Sequence, residues 1–176
     1  SGYQGPLDLK GLDVVTDPHT GEPVLSPNAN TKVTSSPDDK FWYPLGSGMN
    51  WPVYALAVYD NKLIAGGYFT TAGGGSANYI ASWDGSSWSP LGSGMNSYVR
   101  ALAVYDNKLI AGGDFDTSGG VSANHIASWD GSSWASLGSG MNDWVDALAV
   151  YDNKLIAGGY FTTAGGVSAN YIASWN

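Results

Sequence analysis

Trp42-Tyr-Pro-Leu-Gly-Ser-Gly-Met-Asn50 returns as Trp88-Ser-Pro-Leu-Gly-Ser-Gly-Met-Asn96 and again as Trp134-Ala-Ser-Leu-Gly-Ser-Gly-Met-Asn142. Leu45, Leu91 and Leu137 mark the step of 46 residues. A period of roughly 20–50 residues is the signature of a solenoid, a propeller or an array. What lies between the copies decides among them. Val99 to Tyr105 reads as a strand and Asp106-Asn107 as a two-residue hairpin turn, because Asp and Asn tolerate positive φ. Lys108 to Gly113 reads as the next strand, and Asp116 to Asn124 as a long Gly/Ser loop. His125 to Trp129 is a third strand, Asp130-Gly131 a turn, and Trp134 to Leu137 a fourth. Four short strands in a unit of this length make a propeller blade. The expected fold is therefore all-β, with three four-stranded blades in residues 42–176 (42–87, 88–133 and 134–176).

The residue choices within a unit agree. Ala101-Leu-Ala-Val-Tyr105 is apolar on both alternating sides, which predicts an inner strand buried on both faces. Gly66-Gly67 and Gly112-Gly113 allow close backbone approach, and Pro44 and Pro90 suit an outer edge that needs no donor. Residues 1–41 stand outside the repeat. Two short apolar runs there, Leu12-Asp-Val-Val15 and Pro23-Val-Leu-Ser26, flank Pro/Gly punctuation and predict a hairpin, followed by a polar linker from Asn28 to Asp39. This arm is a candidate clasp on a neighbouring subunit.

Composition bounds the task. The net charge is −8, with Arg100 the single arginine, which argues against nucleic acid and anionic membranes. Without cysteine, thiol catalysis, disulfides and zinc-thiolate sites are excluded. No apolar run approaches the ~18 residues of a membrane helix. The acidic, Gly/Ser/Asn/Trp-rich surface suggests an extracellular or cell-surface setting, and a start at Ser1 suggests a processed or trimmed chain.

From the apolar first strand, the second strand ending in Gly66-Gly67 and the following Trp88-Ser-Pro-Leu91, residues 42–176 resemble the kelch family, in particular tandem bacterial surface-protein repeats of kelch type. That resemblance implies a propeller and is almost silent on function. Ser82-Trp-Asp-Gly-Ser-Ser-Trp88 also resembles the Asp-box of sialidase-type propellers, which is structural in those enzymes. A sialidase would need several arginines. Galactose oxidase, another kelch-type propeller, would need a cysteine and further histidines beyond His19 and His125. Asp114 and Asp116 could offer oxygen ligands to a hard cation, but the other two units carry Tyr and Thr there. No catalytic, metal or cofactor-binding set emerges, so an enzyme is not expected and no cofactor is assigned.

Differences between the units carry the remaining signal. From Trp42 to Trp83 and the equivalent stretches, only ten of 42 positions differ. Eight of them are predicted on or near one face of the disc, where first strands begin and second strands end. Loops on a rigid scaffold are where binding usually resides, and aromatics there suit a glycan or protein partner. The candidate binding face is Trp51, Tyr54, Tyr68, Tyr79, Tyr98, Arg100, Asp114, His125, Trp144, Asp146, Tyr160 and Tyr171.

Propellers have about four to eight blades, so three leave two apolar flanks open. The repeat begins with a fourth-type strand, Trp42–Leu45, and ends with a third-type strand, Tyr171–Trp175. Trp42, Tyr43 and Leu45 of one subunit would then complete the blade holding Ile172 and Trp175 of another. Two copies would give six blades, three would give nine, and a contact that fails to close would give a filament. The expected function is a non-enzymatic structural or binding module acting through homo-oligomerisation. A lectin-like carbohydrate-binding propeller, and an engineered or truncated piece of a longer array, are the alternatives.

Overall fold

The structure, a computed structural model, describes residues 12–16, 22–27 and 41–176. The chain divides into two compact units, Ser1–Tyr43 and Pro44–Asn176. In the first, β1 (Leu12–Thr16) pairs antiparallel with β2 (Pro23–Pro27), with Val14 opposite Leu25. The expected hairpin therefore forms. The linker from Asn28 to Asp39 lies outside the described residues.

The second unit holds the repeats. Its first blade comprises β3 (Val53–Tyr59), β4 (Lys62–Gly67), a small hairpin of β5 (Thr71–Ala72) and β6 (Gly75–Ser76), then β7 (Ile80–Trp83) and β8 (Trp88–Pro90). The middle blade repeats this as β9 (Val99–Tyr105), β10 (Lys108–Gly113), β11 (Thr117–Ser118), β12 (Val121–Ser122), β13 (Ile126–Trp129) and β14 (Trp134–Ser136). The third has β15 (Val145–Tyr151), β16 (Lys154–Gly159), β17 (Thr163–Ala164), β18 (Val167–Ser168) and β19 (Ile172–Trp175). The sheets run β3-β4-β7-β8, β9-β10-β13-β14 and β15-β16-β19. Two blades are four-stranded and the third has three strands, as the phase of the repeat predicts. Each outer strand comes from the start of the next sequence unit, so blades and 46-residue units are offset. Trp42–Leu45, the expected first copy of that strand, carries no strand assignment.

Local chemistry explains these elements. Asp60-Asn61, Asp106-Asn107 and Asp152-Asn153 all have both φ values positive, near 50°, as a type I′ hairpin turn requires. At the opposite turn Asp130 Oδ1 accepts from the backbone N–H groups of Ser132 and Ser133, each at 2.8 Å, while Gly131 takes φ 102°. The Ser133 and Ser132 amides hold the Asp130 carboxyl well below the usual carboxylate range; Ser87 and Ser86 do the same for Asp84. The Asp-box likeness is thus a turn.

Phe69, Phe115 and Phe161 anchor the blades, each fully buried. The apolar core runs between sheets as well as within them. Ile64 and Ile80 of the first blade pack with Leu91, Met95, Val99 and Leu109 of the second. Ile110 and Ile126 pack in the same way with Leu155, Leu137 and Met141.

Three expectations need correction. The inner strands are not buried along their whole length: Val58, Val104 and Val150 remain exposed. Near the Asp-Asn turns the sheets part, leaving grooves lined by residues such as Val104, Tyr105, Val150 and Asn153. The long loop is not irregular, since β11 and β12 pair within it. His125 is not a strand residue. It takes φ 62°, matching Tyr79 at 65° and Tyr171 at 67°, a left-handed conformation uncommon for such bulky side chains. The strand starts one residue later, at Ile126.

Candidate functional site: an interblade joint and its two open halves

The contact between successive blades is built twice in this chain, from the same residues. Val99 of the middle blade lies on Gly66 of the first: a Cβ at Gly66 would run into Val99 Cγ1 and lie 3.4 Å from Leu102 Cδ1. Val145 lies on Gly112 identically, with Leu148 Cδ1 at 3.4 Å. Tyr59 Oη donates to the Asn107 carbonyl at 3.3 Å, and Tyr105 Oη to that of Asn153 at 3.2 Å. Asn78 Nδ2 donates to the Ser93 carbonyl and Asn124 Nδ2 to Ser139, both at 3.0 Å. Packing, a tyrosine clip and an asparagine clip thus recur at a fixed spacing.

Within each blade a second set ties the outer strand to the linking loop. Trp88 Nε1 donates to the Leu45 carbonyl at 2.9 Å, and Trp134 Nε1 to Leu91 at 3.0 Å. Trp134 is buried beside Trp129, with ring centroids 5.3 Å apart. Its Cβ would be 2.8 Å from a Cβ placed on Gly119. The loop itself is fixed by Asn50, Asn96 and Asn142. Asn142 Oδ1 accepts from the backbone N–H groups of Thr162 (2.8 Å) and Thr163 (2.7 Å), and its Nδ2 donates to Thr162 Oγ1 at 3.0 Å. Sequence reasoning passed over these asparagines. The available signal was their identity in all three units despite an exposed, polar setting.

The two ends of the array present the halves of this joint separately. Val99 and Val145 are fully buried, whereas Val53 is 39 % exposed and Leu56 60 %. Ile80 and Ile126 are buried, whereas Ile172 is 64 % exposed. Where the middle blade holds Trp134, the third has a cavity of about 260 Å³ whose lining includes Leu137, Met141, Gly165, Ala173 and Trp175. Gly165 has nothing within 4 Å of its would-be Cβ, unlike Gly73 and Gly119, which meet Trp88 and Trp134. Trp42 and Tyr43 are largely exposed, and Leu45 is 42 % exposed. All five residues assigned to closure from the sequence are therefore exposed.

The predicted binding face resolves into two groups. Trp51, Tyr68, Tyr98 and Tyr79 form an aromatic strip, with successive centroids 5.4, 4.3 and 5.9 Å apart. The Tyr68 hydroxyl, followed by burial, pushes the Tyr98 phenol up. Beside it Arg100 makes a two-pronged ion pair with Asp114 through Nε and Nη2, and its Nε is 3.5 Å from Asp146. The Arg100 guanidinium also lies 5.1 Å from the Trp144 ring centroid, and Trp144 meets Tyr160 at 6.0 Å. Hydrogen bonding to Asp114 raises the Arg100 pKa, with Asp146 and the Tyr54 hydroxyl adding to the effect. His125 Nδ1 lies 3.2 Å from the Gly113 carbonyl, and Tyr171 stands apart at the open end, 59 % exposed. Ser118, one of the eight variable positions, is buried and belongs to no surface.

Asp114 and Asp116 do not form a cation site. Asp114 is taken by Arg100, and Asp116 Oδ1 accepts from Asn96 Nδ2 at 2.6 Å. Among the described residues no group of three or more His, Cys, Asp or Glu could hold a metal.

A protein-family match agrees with this architecture. Residues 60–81, 106–127 and 152–173 match the family described as a β-propeller domain of unknown function (DUF5122). Each match spans the Asp-Asn turn, the second strand and the start of the third. No curated protein matches the chain. Among solved structures it is similar to the computationally designed Ika8 protein, at 19 % identity and a TM-score of 0.40 over 74 % of this chain and 47 % of that one, so the chain spans about half its length. It is also similar to the computationally designed Ika4 protein, at 17 % identity and a TM-score of 0.37 over 76 % of this chain and 98 % of that one. The three matched segments and the three sheets identify residues 42–176 as β-propeller repeats, without narrowing them to the kelch type.

Proposed function

We propose that this chain is a non-enzymatic self-assembly module whose third blade is completed by a second copy. The cavity beside Trp175 carries the reading, because it lies where Trp134 sits in the middle blade. Shifting the observed register of Trp83 with Trp88, Ser82 with Ser89 and Ala81 with Pro90 by two repeats sets Trp42 of the second copy opposite Trp175. Tyr43 then falls opposite Ser174 and Pro44 opposite Ala173, and the Trp42 indole N–H reaches the Leu137 carbonyl. A proline at the outermost position forfeits no ladder bond. Such a contact is head-to-tail. Six is the one multiple of three in the usual range of about four to eight blades, so two copies close the ring.

Native mass spectrometry at micromolar concentration is expected to find twice the 18.4 kDa chain mass. Trp42→Ala should weaken association at least ~30-fold, the scale of a buried tryptophan hot spot. A wild-type chain that stays monomeric overturns the proposal, and an open series of larger species overturns the closed ring.

One observation favours a second reading, a lectin-like role. Trp51 is 57 % exposed at the end of an aromatic strip whose Tyr98 neighbours the Asp114 carboxylate that pairs with Arg100, and aromatic faces with neighbouring polar groups suit sugar rings. Binding on a glycan array that is lost in Trp51→Ala or Trp144→Ala would support it; a blank array removes it.

A further inference from the structure

We infer that Gly158 is the seat for Val53 of a second copy, so that the joint between copies reproduces the two joints inside the chain. This rests on the reading that copies associate, but it concerns the flank beside the inner strands and not the donated outer strand.

The chain makes this contact wherever both partners are present. Gly66 and Gly112 are buried beneath Val99 and Val145, and a Cβ on Gly112 would lie 2.6 Å from Val145 Cγ1. Gly158 is the third member of the series. Its would-be Cβ meets only the Tyr171 carbonyl at 3.8 Å and Ala147 Cβ at 3.9 Å. Val53 is the matching first member of the valine series, and it alone of the three is exposed. Each half therefore has the chemistry of the joint without its counterpart. The flanking groups agree. Tyr151 is 75 % exposed, where its equivalents Tyr59 and Tyr105 reach across to the next Asp-Asn turn. By the same spacing its hydroxyl meets the carbonyl of Asn61 in the second copy.

A Cβ at Gly66 or Gly112 would strike a valine packed within the chain, whereas at Gly158 it would strike only a second copy. That separation makes the contact testable in the full chain. Gly158→Ala should fold with unchanged circular dichroism and weaken association at least tenfold, read by sedimentation velocity across a dilution series. Val53→Ala removes the Cγ1 methyl that, by analogy with Val145 on Gly112, the new Cβ would strike first. Gly158→Ala combined with Val53→Ala should therefore associate within about threefold of Val53→Ala alone. Val53→Asp tests the contact from the opposite flank and should yield folded monomers. If Gly158→Ala associates like wild type, or if the two alanine effects simply multiply, the seat is wrong while association through Trp42 stands. A wild-type chain that never associates overturns both.

Discussion

Replacing Phe115 with alanine is expected to destabilise the repeats by about 3–5 kcal/mol, the usual cost of emptying a fully buried phenylalanine site. Phe115 has no exposed surface and belongs to the cluster that joins Leu109 and Trp134 to the first blade's Ile64 and Ile80. Its backbone carbonyl accepts from the His125 N–H at 2.9 Å, so the same residue also holds the left-handed His125 that precedes the third strand. Its neighbours are held in two sheets at once, which limits how far they can relax into the space. For a chain of this size the loss corresponds to a fall in Tm of roughly 10 °C. Thermal unfolding followed by tryptophan fluorescence would measure it. Val104→Ala, at a position 40 % exposed in the same blade, should move the midpoint far less. Equal shifts for the two variants would refute this account of the core.

Gly113→Ala should be at least as damaging, for a different reason. The pairing of β9 with β10 has its one register shift between Gly112 and Gly113. A Cβ on Gly113 would run into the Tyr98 carbonyl oxygen and lie 3.1 Å from Val99 Cα. These are backbone atoms, so no rotamer change relieves the overlap. The same carbonyl accepts from the Asp114 N–H at 3.0 Å, and displacing it breaks that bond as well. A loss of about 4–5 kcal/mol, at the upper end of single substitutions, is expected. Urea titration against Gly75→Ala, whose Cβ would meet only the Ala72 carbonyl oxygen at 3.7 Å, would show it. A Gly113→Ala chain with the wild-type midpoint would contradict the geometry.

How far the fold could be read from sequence follows from the range of each interaction. The bounds of β9 and β10 match the reading from residues because Asp106-Asn107 forces a tight turn and the flanking runs are apolar. The Asp130 turn was legible for the same local reason. The small hairpin β11–β12 was not, since two-residue strands have no periodicity to detect. Neither was the left-handed backbone at His125, which no glycine announces. The asparagine clamp was missed because Asn142 meets its partners 20 and 21 residues away, beyond any local pattern. Of the variable face, topology placed most residues on one side, but nothing in the sequence paired Arg100 with Asp114. The open flanks follow from the number of units and the proposed joint from the phase of the repeat; the glycine beneath each valine needed coordinates.

The offset between sequence unit and blade has a consequence for how such arrays change length. Every outer strand is encoded by the segment that opens the following unit, and every interblade contact recurs at the 46-residue spacing. Gaining or losing one whole unit therefore leaves each remaining Trp beside its Leu carbonyl and each Val above its Gly. The terminal strand types also stay the same, whatever the number of blades. The number of units can therefore change by whole 46-residue steps without any compensating substitution in the units that remain.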